Sequence, residues 1–301
     1  MTEGLKVFAV GLAALALLVA GLAFAASVLS DRKAHRLVNV KVDPVAFTDD
    51  AAAIEEGKYL YRSRGCQECH GADGRGRVVI DAPNGLYVRA PNITARPGGV
   101  VASYTERDWV RTIRHGVQPQ GRPLLVMPSE DYNQLTDADL AALVAYTRSL
   151  PPGAGEGAVI RFPLIVKALY ALDYIRDAAD KIDHSVPPAK PVPVGATVEH
   201  GAYVAKMCIG CHGPGLSGGK IPGGPPDWPP ASNLTPGAES AMSRYDTAGK
   251  FKAMMRTGKR PDGGEVSKAM PFATLGMLDD TDLDALHAFL RTLPPRAAGN
   301  R

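Results

Sequence analysis

Two five-residue strings constrain this chain more than any other feature: Cys66-Gln67-Glu68-Cys69-His70 and Cys208-Ile209-Gly210-Cys211-His212. They use all four cysteines of the 301 residues, so no thiol remains for a disulfide framework. Two cysteines three apart, followed by a histidine, fit about one helical turn. In that arrangement both thiols can form thioethers with haem vinyl groups while the adjacent imidazole reaches the iron. A redox dithiol or half of a zinc site also uses Cys-x-x-Cys, but neither needs a histidine in the same place twice. The strings predict two covalently attached haem c groups, held by Cys66 and Cys69 and by Cys208 and Cys211, with His70 and His212 as proximal iron ligands.

The similarity between the two halves extends well beyond these strings. With the two strings matched and shifts of one or two residues allowed, Gly57-Lys58-Tyr59 before the first is answered by Gly201-Ala202-Tyr203 before the second, and Asn92-Ile93-Thr94 after it by Asn233-Leu234-Thr235. Met127 to Pro152 then lies ungapped on Met270 to Pro295. A fixed-period duplication of this kind means two copies of one domain. Each copy ends in a readable helix. Thr136 sits three before Asp139 as a capping-box-like start, Asp279 and Asp282 repeat it, and Pro151 stops the first helix after Leu150. Leu140, Leu143, Val144 and Leu150, like Leu283, Leu286, Leu290 and Leu293, recur at helical spacing. No alternating strand pattern of useful length appears. The 32 glycines and 25 prolines imply much loop, as a chain wrapped around a cofactor would have.

The ligand opposite each histidine separates an electron carrier from a haem enzyme. Met127 follows Cys69 at nearly the same separation as Met270 follows Cys211, and each is succeeded by proline ahead of the last helix. A lone methionine is commonly core filler, but one at the same place in both copies is expected to be the sixth ligand. Met277 faces Gln134 in the alignment, and Met207, Met254 and Met255 have no matching methionine. His115 ranks a distant second for the first iron, because its equivalent is Thr257. Histidines 35, 184, 200 and 287 are expected to be polar structural residues, with His200 kept in view for its closeness to the second string. Arg89, Arg96 and Trp228 are candidates for haem propionates, against ordinary surface or packing roles.

From Val7 to Leu29 the chain carries no charge, long enough to cross a hydrocarbon core of about 30 Å. A membrane anchor is favoured over a cleavable signal peptide, although Ala23-Phe24-Ala25 has the small-x-small form of a cleavage site. Between the copies, Pro151 to Gly157 and the proline-rich Val186 to Gly195 bracket a linker. Ile165, Leu169, Leu172 and Ile175 within it recur at helical spacing, for packing across the domains or for contact with a partner subunit or lipid. Thirty-four basic against 31 acidic residues, with no long run of either sign, give no reason to expect nucleic acid as a partner.

The expected architecture is all-α: residues 1–30 an anchor or signal peptide, 45–152 a first cytochrome c domain, 153–194 a linker with an amphipathic helix, and 195–296 a second cytochrome c domain. Residues 50 to 296 resemble the multihaem cytochrome c subunits of membrane-bound bacterial dehydrogenases, such as those acting on alcohol and gluconate. The resemblance rests on Gly201-Ala202-Tyr203 before Cys208, Asn233-Leu234-Thr235-Pro236, Arg256 to Pro261 leading to Met270-Pro271, Leu293-Pro294-Pro295, and Arg161-Phe162-Pro163. Those subunits usually carry three haems, and this chain has strings for two. The resemblance implies haem attachment outside the cytoplasmic membrane. It therefore implies a single-pass inner-membrane protein with periplasmic haem domains, against the positive-inside reading of Arg32, Lys33 and Arg36. It also implies a non-enzymatic role: passing electrons from a periplasmic dehydrogenase or other redox complex to quinone or a terminal oxidase. A dihaem peroxidase with one open iron is the enzymatic alternative, and a subunit serving chiefly to anchor a dehydrogenase is a third reading.

Overall fold

The computed structural model of the chain describes residues 2–300 apart from Pro226 and Ala238. A long helix α1 (Glu3–Ala34) leads into the first half, which holds α2 (Ala51–Ser63), α3 (Cys66–His70), strands β1 (Val78–Asp81) and β2 (Tyr87–Arg89), α4 (Glu106–His115) and α5 (Asp137–Ser149). Strand β3 (Val159–Arg161) and helices α6 (Leu164–Ala171) and α7 (Ala178–Lys181) follow. The second half holds α8 (Val198–Val204), α9 (Ile209–His212), α10 (Ala248–Thr257), α11 (Phe272–Leu275) and α12 (Asp280–Thr292).

The punctuation read from the sequence sets the helix ends. Thr136 accepts a hydrogen bond from the Asp139 amide at the start of α5, and Asp279 accepts one from the Asp282 amide at the start of α12. Thr105 and Asp108 form a full capping box on α4, and Thr247 caps α10 in the same place. These caps satisfy amides that the first helical turn leaves without partners.

Each half is organised by one helix crossing. Helix α2 lies against α5 and α8 against α12, and both contacts are made at a glycine. A Cβ on Gly57 would fall 1.9 Å from the Ala142 carbonyl oxygen, and one on Gly201 would fall 2.0 Å from that of Ala285. Only glycine permits backbones so close. Around the first crossing Leu60, Trp109, Ile113, Leu140 and Leu143 make a buried core. Around the second, Val204, Phe251, Met255, Leu283, Leu286 and Leu290 make its counterpart.

Two features depart from the sequence reading. A three-stranded antiparallel sheet, ordered β1-β2-β3, stands beside the first core, with Val88 paired to both Ile80 and Ile160. Its strands have three or four residues, too short for a period of two to register. The protein is thus mostly helical rather than purely so. In addition, the stretch between the halves, expected as a linker with one amphipathic helix, carries that helix as α6 and also a strand. Strand β3 completes the first half's sheet, and Arg161 stacks on Tyr87. Lys181 at the end of α7 pairs with Glu130, and His184 meets His115. The proline-rich segment from 186 to 194 runs without helix or strand, as does 151 to 158.

Candidate functional site

Cys66, Cys69 and His70 occupy α3, while Cys208 closes a 3-10 turn (Ala205–Cys208) and Cys211 and His212 lie in α9. The four cysteines form no disulfide. Burial pushes the thiols of Cys66 and Cys208 up to about 12. A redox dithiol works through a lowered thiol pKa, so these surroundings do not favour one.

Both histidines are aimed by their backbone. The Nδ1 of His70 lies 3.0 Å from the Pro91 carbonyl oxygen, and that of His212 lies 2.8 Å from the Ser232 carbonyl oxygen. With Nδ1 donating to a carbonyl, Nε2 is left as the ligating nitrogen. Burial also holds His70 below the usual imidazole pKa, which keeps it neutral. The residue after each carbonyl is the asparagine of the repeated Asn-x-Thr string. Asn92 Oδ1 accepts from the Thr94 amide and hydroxyl at 2.8 Å each, and its amide donates to Gly153 O. Asn233 repeats this with Thr235 and with the Arg296 carbonyl. The repeated string is therefore a brace that ties the histidine-aiming loop to the chain beyond the last helix. A second brace sits just after each cysteine string. Gly76 and Gly218 take positive φ (79° and 76°), and their amides donate to the carbonyls of His70 and His212.

Met127 and Met270 stand in loops that follow α4 and α10. Met127 packs, half-buried, against the core that also holds Cys66, and Met270 against the one that holds Cys208. Both loops are held by an arginine whose partners the sequence does not reveal. Arg114 donates to Asp137 (2.8 Å) and to the Leu135 carbonyl (2.6 Å). Arg256 grips Asp280 (3.0 Å) and the carbonyls of Gly276 and Leu278. Arg114 aligns with Arg256 in the repeat and Asp137 with Asp280, so the alignment is the one signal that marks them as a pair.

The competing ligands are engaged elsewhere. Met254 and Met255 are buried core, Met207 accepts from Arg64, and Met277 accepts from Arg62. His115 Nδ1 meets His184 Nδ1 at 3.0 Å, and burial lowers its pKa to about 4. His200 Nε2 is 2.7 Å from Asp282, His287 binds the Tyr245 carbonyl, and His35 the Asp31 carbonyl. Of the propionate candidates, Arg89 is paired to Glu156. Arg96 instead carries a buried Nε without a hydrogen-bond partner, beside the Asn-Ile-Thr string. A buried donor of this kind fits an added carboxylate, which is the feature a haem propionate would require. Trp228 is 40% exposed, and its ring lies beside Gly224.

The two halves meet through a reciprocal polar seam. Tyr59 donates to Asp282 (2.6 Å) and accepts from the Asp279 amide, while Tyr203 donates to Asp139 and accepts from the Thr136 amide. Arg62 with Met277 and Lys206 with Gln134 repeat the exchange. Arg64 has no such counterpart. Its buried guanidinium lies 3.1 Å from Met207 Sδ and 3.5 Å from Asp282, and its charge acts on Cys66 and Cys208 alike. One attachment cysteine from each half is thereby brought to the same seam. Tyr59→Phe leaves Asp282 still paired to His200, so it is expected to cost about 1.5 kcal/mol. Urea unfolding of this variant against the wild type, followed by far-UV circular dichroism, measures the loss.

Among known protein families, residues 52–146 match the one described as cytochrome c oxidase, cbb3-type, subunit III, and residues 198–294 match the one described as cytochrome c. Each half of the chain is a cytochrome c domain, and the protein carries two covalently bound haem c groups. More particularly, the chain is similar to the cytochrome c subunits of dehydrogenases. It is 28% identical to a fructose dehydrogenase cytochrome subunit of Gluconobacter japonicus, over 86% of this chain and 57% of that protein. It is 24% identical to an alcohol dehydrogenase (quinone) cytochrome c subunit of Gluconobacter oxydans, over 81% of this chain and 55% of that protein. A diheme cytochrome c-type protein of Cereibacter sphaeroides is 25% identical over 85% of this chain and 90% of its own length. The chain thus spans little more than half the length of the two dehydrogenase subunits. The peroxidase alternative gains no support from these matches.

Proposed function

We propose that the protein is a membrane-anchored dihaem electron carrier that takes electrons from a dehydrogenase or related redox complex and passes them to the respiratory chain. The observation that carries this reading is the duplication itself: a carbonyl-aimed histidine and an arginine-braced methionine loop occur in both halves. In this reading residues 45–152 and 195–296 are the two domains. Cys66 and Cys69 hold the first haem and Cys208 and Cys211 the second, with His70 and Met127, and His212 and Met270, as axial pairs.

Haem c supplies a one-electron iron couple, whose potential a thioether ligand raises. The protein's own residues do the rest. Pro91 and Ser232 carbonyls fix the histidine rings, so that no ring rotation accompanies a change of charge. As iron ligands, the methionine sulfurs would fill the position that oxygen or peroxide would need, which favours outer-sphere transfer over catalysis. Arg96 offers a buried donor to a carboxylate. Arg64, acting on a cysteine from each half, marks the seam as the path between centres.

Helix α1 is exposed along nearly all its length and has mean hydropathy 2.6 over its most apolar window. That supports a single span, and haem attachment outside the cytoplasmic membrane is what puts the haem domains on the periplasmic side in this reading. A redox titration of the purified protein tests the carrier assignment, with two low-spin centres expected and no turnover of hydrogen peroxide. A high-spin centre that binds cyanide readily would refute it. Copurification in mild detergent tests the partner: a dehydrogenase retained with the haem-stained chain is expected, and its absence would point to a freestanding carrier.

A further inference from the structure

We infer that helix α6 and the turn after it lie on the lipid surface beside α1, fixing the haem domains in one orientation to the membrane. This rests on the reading of α1 as a span. The first argument is position. Helix α1 is exposed from residue 3 to 22, but Ala26, Ser27 and Val28 are partly covered and Ser30 is buried, and the element packed against α1 is α6. The covered stretch is where the uncharged run ends and Asp31, Arg32 and Lys33 begin. A helix packed there sits at the boundary between hydrocarbon and water whenever α1 crosses the bilayer.

The second argument is surface chemistry. Leu164, Ile165, Leu172 and Tyr174 are 47%, 63%, 65% and 76% exposed. Large apolar side chains gathered at one place mark a surface that is covered in use. A tyrosine among them suits the headgroup level, where one end of the ring is apolar and the other wet. The occupant argued for is lipid rather than protein, because this patch is continuous with α1. It is also small: an eight-residue helix about 12 Å long falls well short of the ~1,000 Å² a stable protein interface buries.

The third argument is rigidity. Arg36 makes a two-pronged contact with Asp177 (2.7 and 2.8 Å) and a further one with Asp180 (2.7 Å). Tyr170 also donates to Asp177, whose side chain is fully buried. Lys33 pairs with Asp173 and Asp180, and Lys167 with Asp31. Lys33 and Arg36 are thus clamped to acidic residues of the α6–α7 stretch. Because the clamp spans both elements, the end of α1 and α6 move as one body.

The test uses the full-length holoprotein in vesicles of phosphatidylcholine and phosphatidylglycerol, with the phosphatidylcholine either plain or brominated near the headgroup. Ile165→Trp and Leu172→Trp are two separate reporters, and Val79→Trp on the β1 hairpin is the reference. The ratio of emission in the two lipids cancels energy transfer to haem, and the haem spectrum verifies that each variant is folded. Emission from at least one α6 reporter should fall by about half in brominated lipid, while the reference stays unchanged. Unquenched α6 reporters in protein that resists alkaline carbonate extraction would overturn the inference alone, and would point to a protein on that patch. Release of the chain by carbonate would overturn the spanning reading, and this inference with it.

Discussion

Met270→Ala is expected to open the second centre while leaving the first intact. The side chain is half-buried against the core that holds Cys208, so its truncation should cost roughly 2 kcal/mol, the low end for a buried methionine. The loop should survive, because Arg256 holds it through Asp280 and two carbonyls rather than through the methionine. The electronic effect is much larger. With sulfur gone, one haem should become high-spin, lose its sulfur-to-iron band and bind carbon monoxide or cyanide. Its potential should drop by a sizeable part of the ~0.8 V that axial ligation commands. Met127→Ala should do the same to the other centre, and Met277→Ala should alter neither. Optical redox titration of the three variants reads all of these effects. Two unaltered centres in Met270→Ala would remove Met270 from the ligand set.

Much of this organisation was legible in the sequence because the chain is duplicated. A chance pattern in one half rarely recurs at the matching place in the other, so Asn92-Ile93-Thr94 with Asn233-Leu234-Thr235, and Met127 with Met270, stood out before any contact was known. The function of the asparagines did not, since their partners at Gly153 and Arg296 are far along the chain, beyond the last helix of each half. The bracing role of Arg114 and Arg256 was hidden for another reason. An arginine at a helix end reads as solvated, and only the fold shows Arg114 at 4% exposure reaching the loop beyond the methionine.

The remaining misreadings concern contacts that no local period encodes. Strand β3 is short, and it pairs with β2, from which α4 and α5 separate it in the chain. The clamp of Arg36 on Asp177 likewise joins the end of α1 to a segment on the far side of the whole first domain. From the sequence, Arg32, Lys33 and Arg36 bear only on topology, whereas in the fold Lys33 and Arg36 are structural partners of the α6–α7 stretch. Tyr59 and Tyr203 were aligned as repeat residues, but their exchange across the seam needs two domains facing each other.

Gly57→Ala and Gly201→Ala should be the most damaging single-carbon changes in the molecule. Inside an exposed helix the same change favours folding by about 1 kcal/mol, because alanine has the higher helix propensity. Here the added carbon would lie 1.9 Å from Ala142 O or 2.0 Å from Ala285 O, both backbone atoms of the facing helix, with Tyr146 or Phe289 Cβ within 2.8 Å. No rotamer relieves a clash between Cβ and backbone, so α2 must part from α5, or α8 from α12. Overpacking a core costs about 1–3 kcal/mol when side chains can yield. With backbone on both sides, a net loss of at least ~3 kcal/mol is expected, enough to melt one domain of marginal stability. Gly249→Ala in α10, with no atom within 4 Å of the new carbon, is the control and should be neutral or slightly stabilising. Thermal unfolding followed at the Soret band and in the far ultraviolet separates the two outcomes. If all three variants melt alike, the helix crossings are not what holds each domain together.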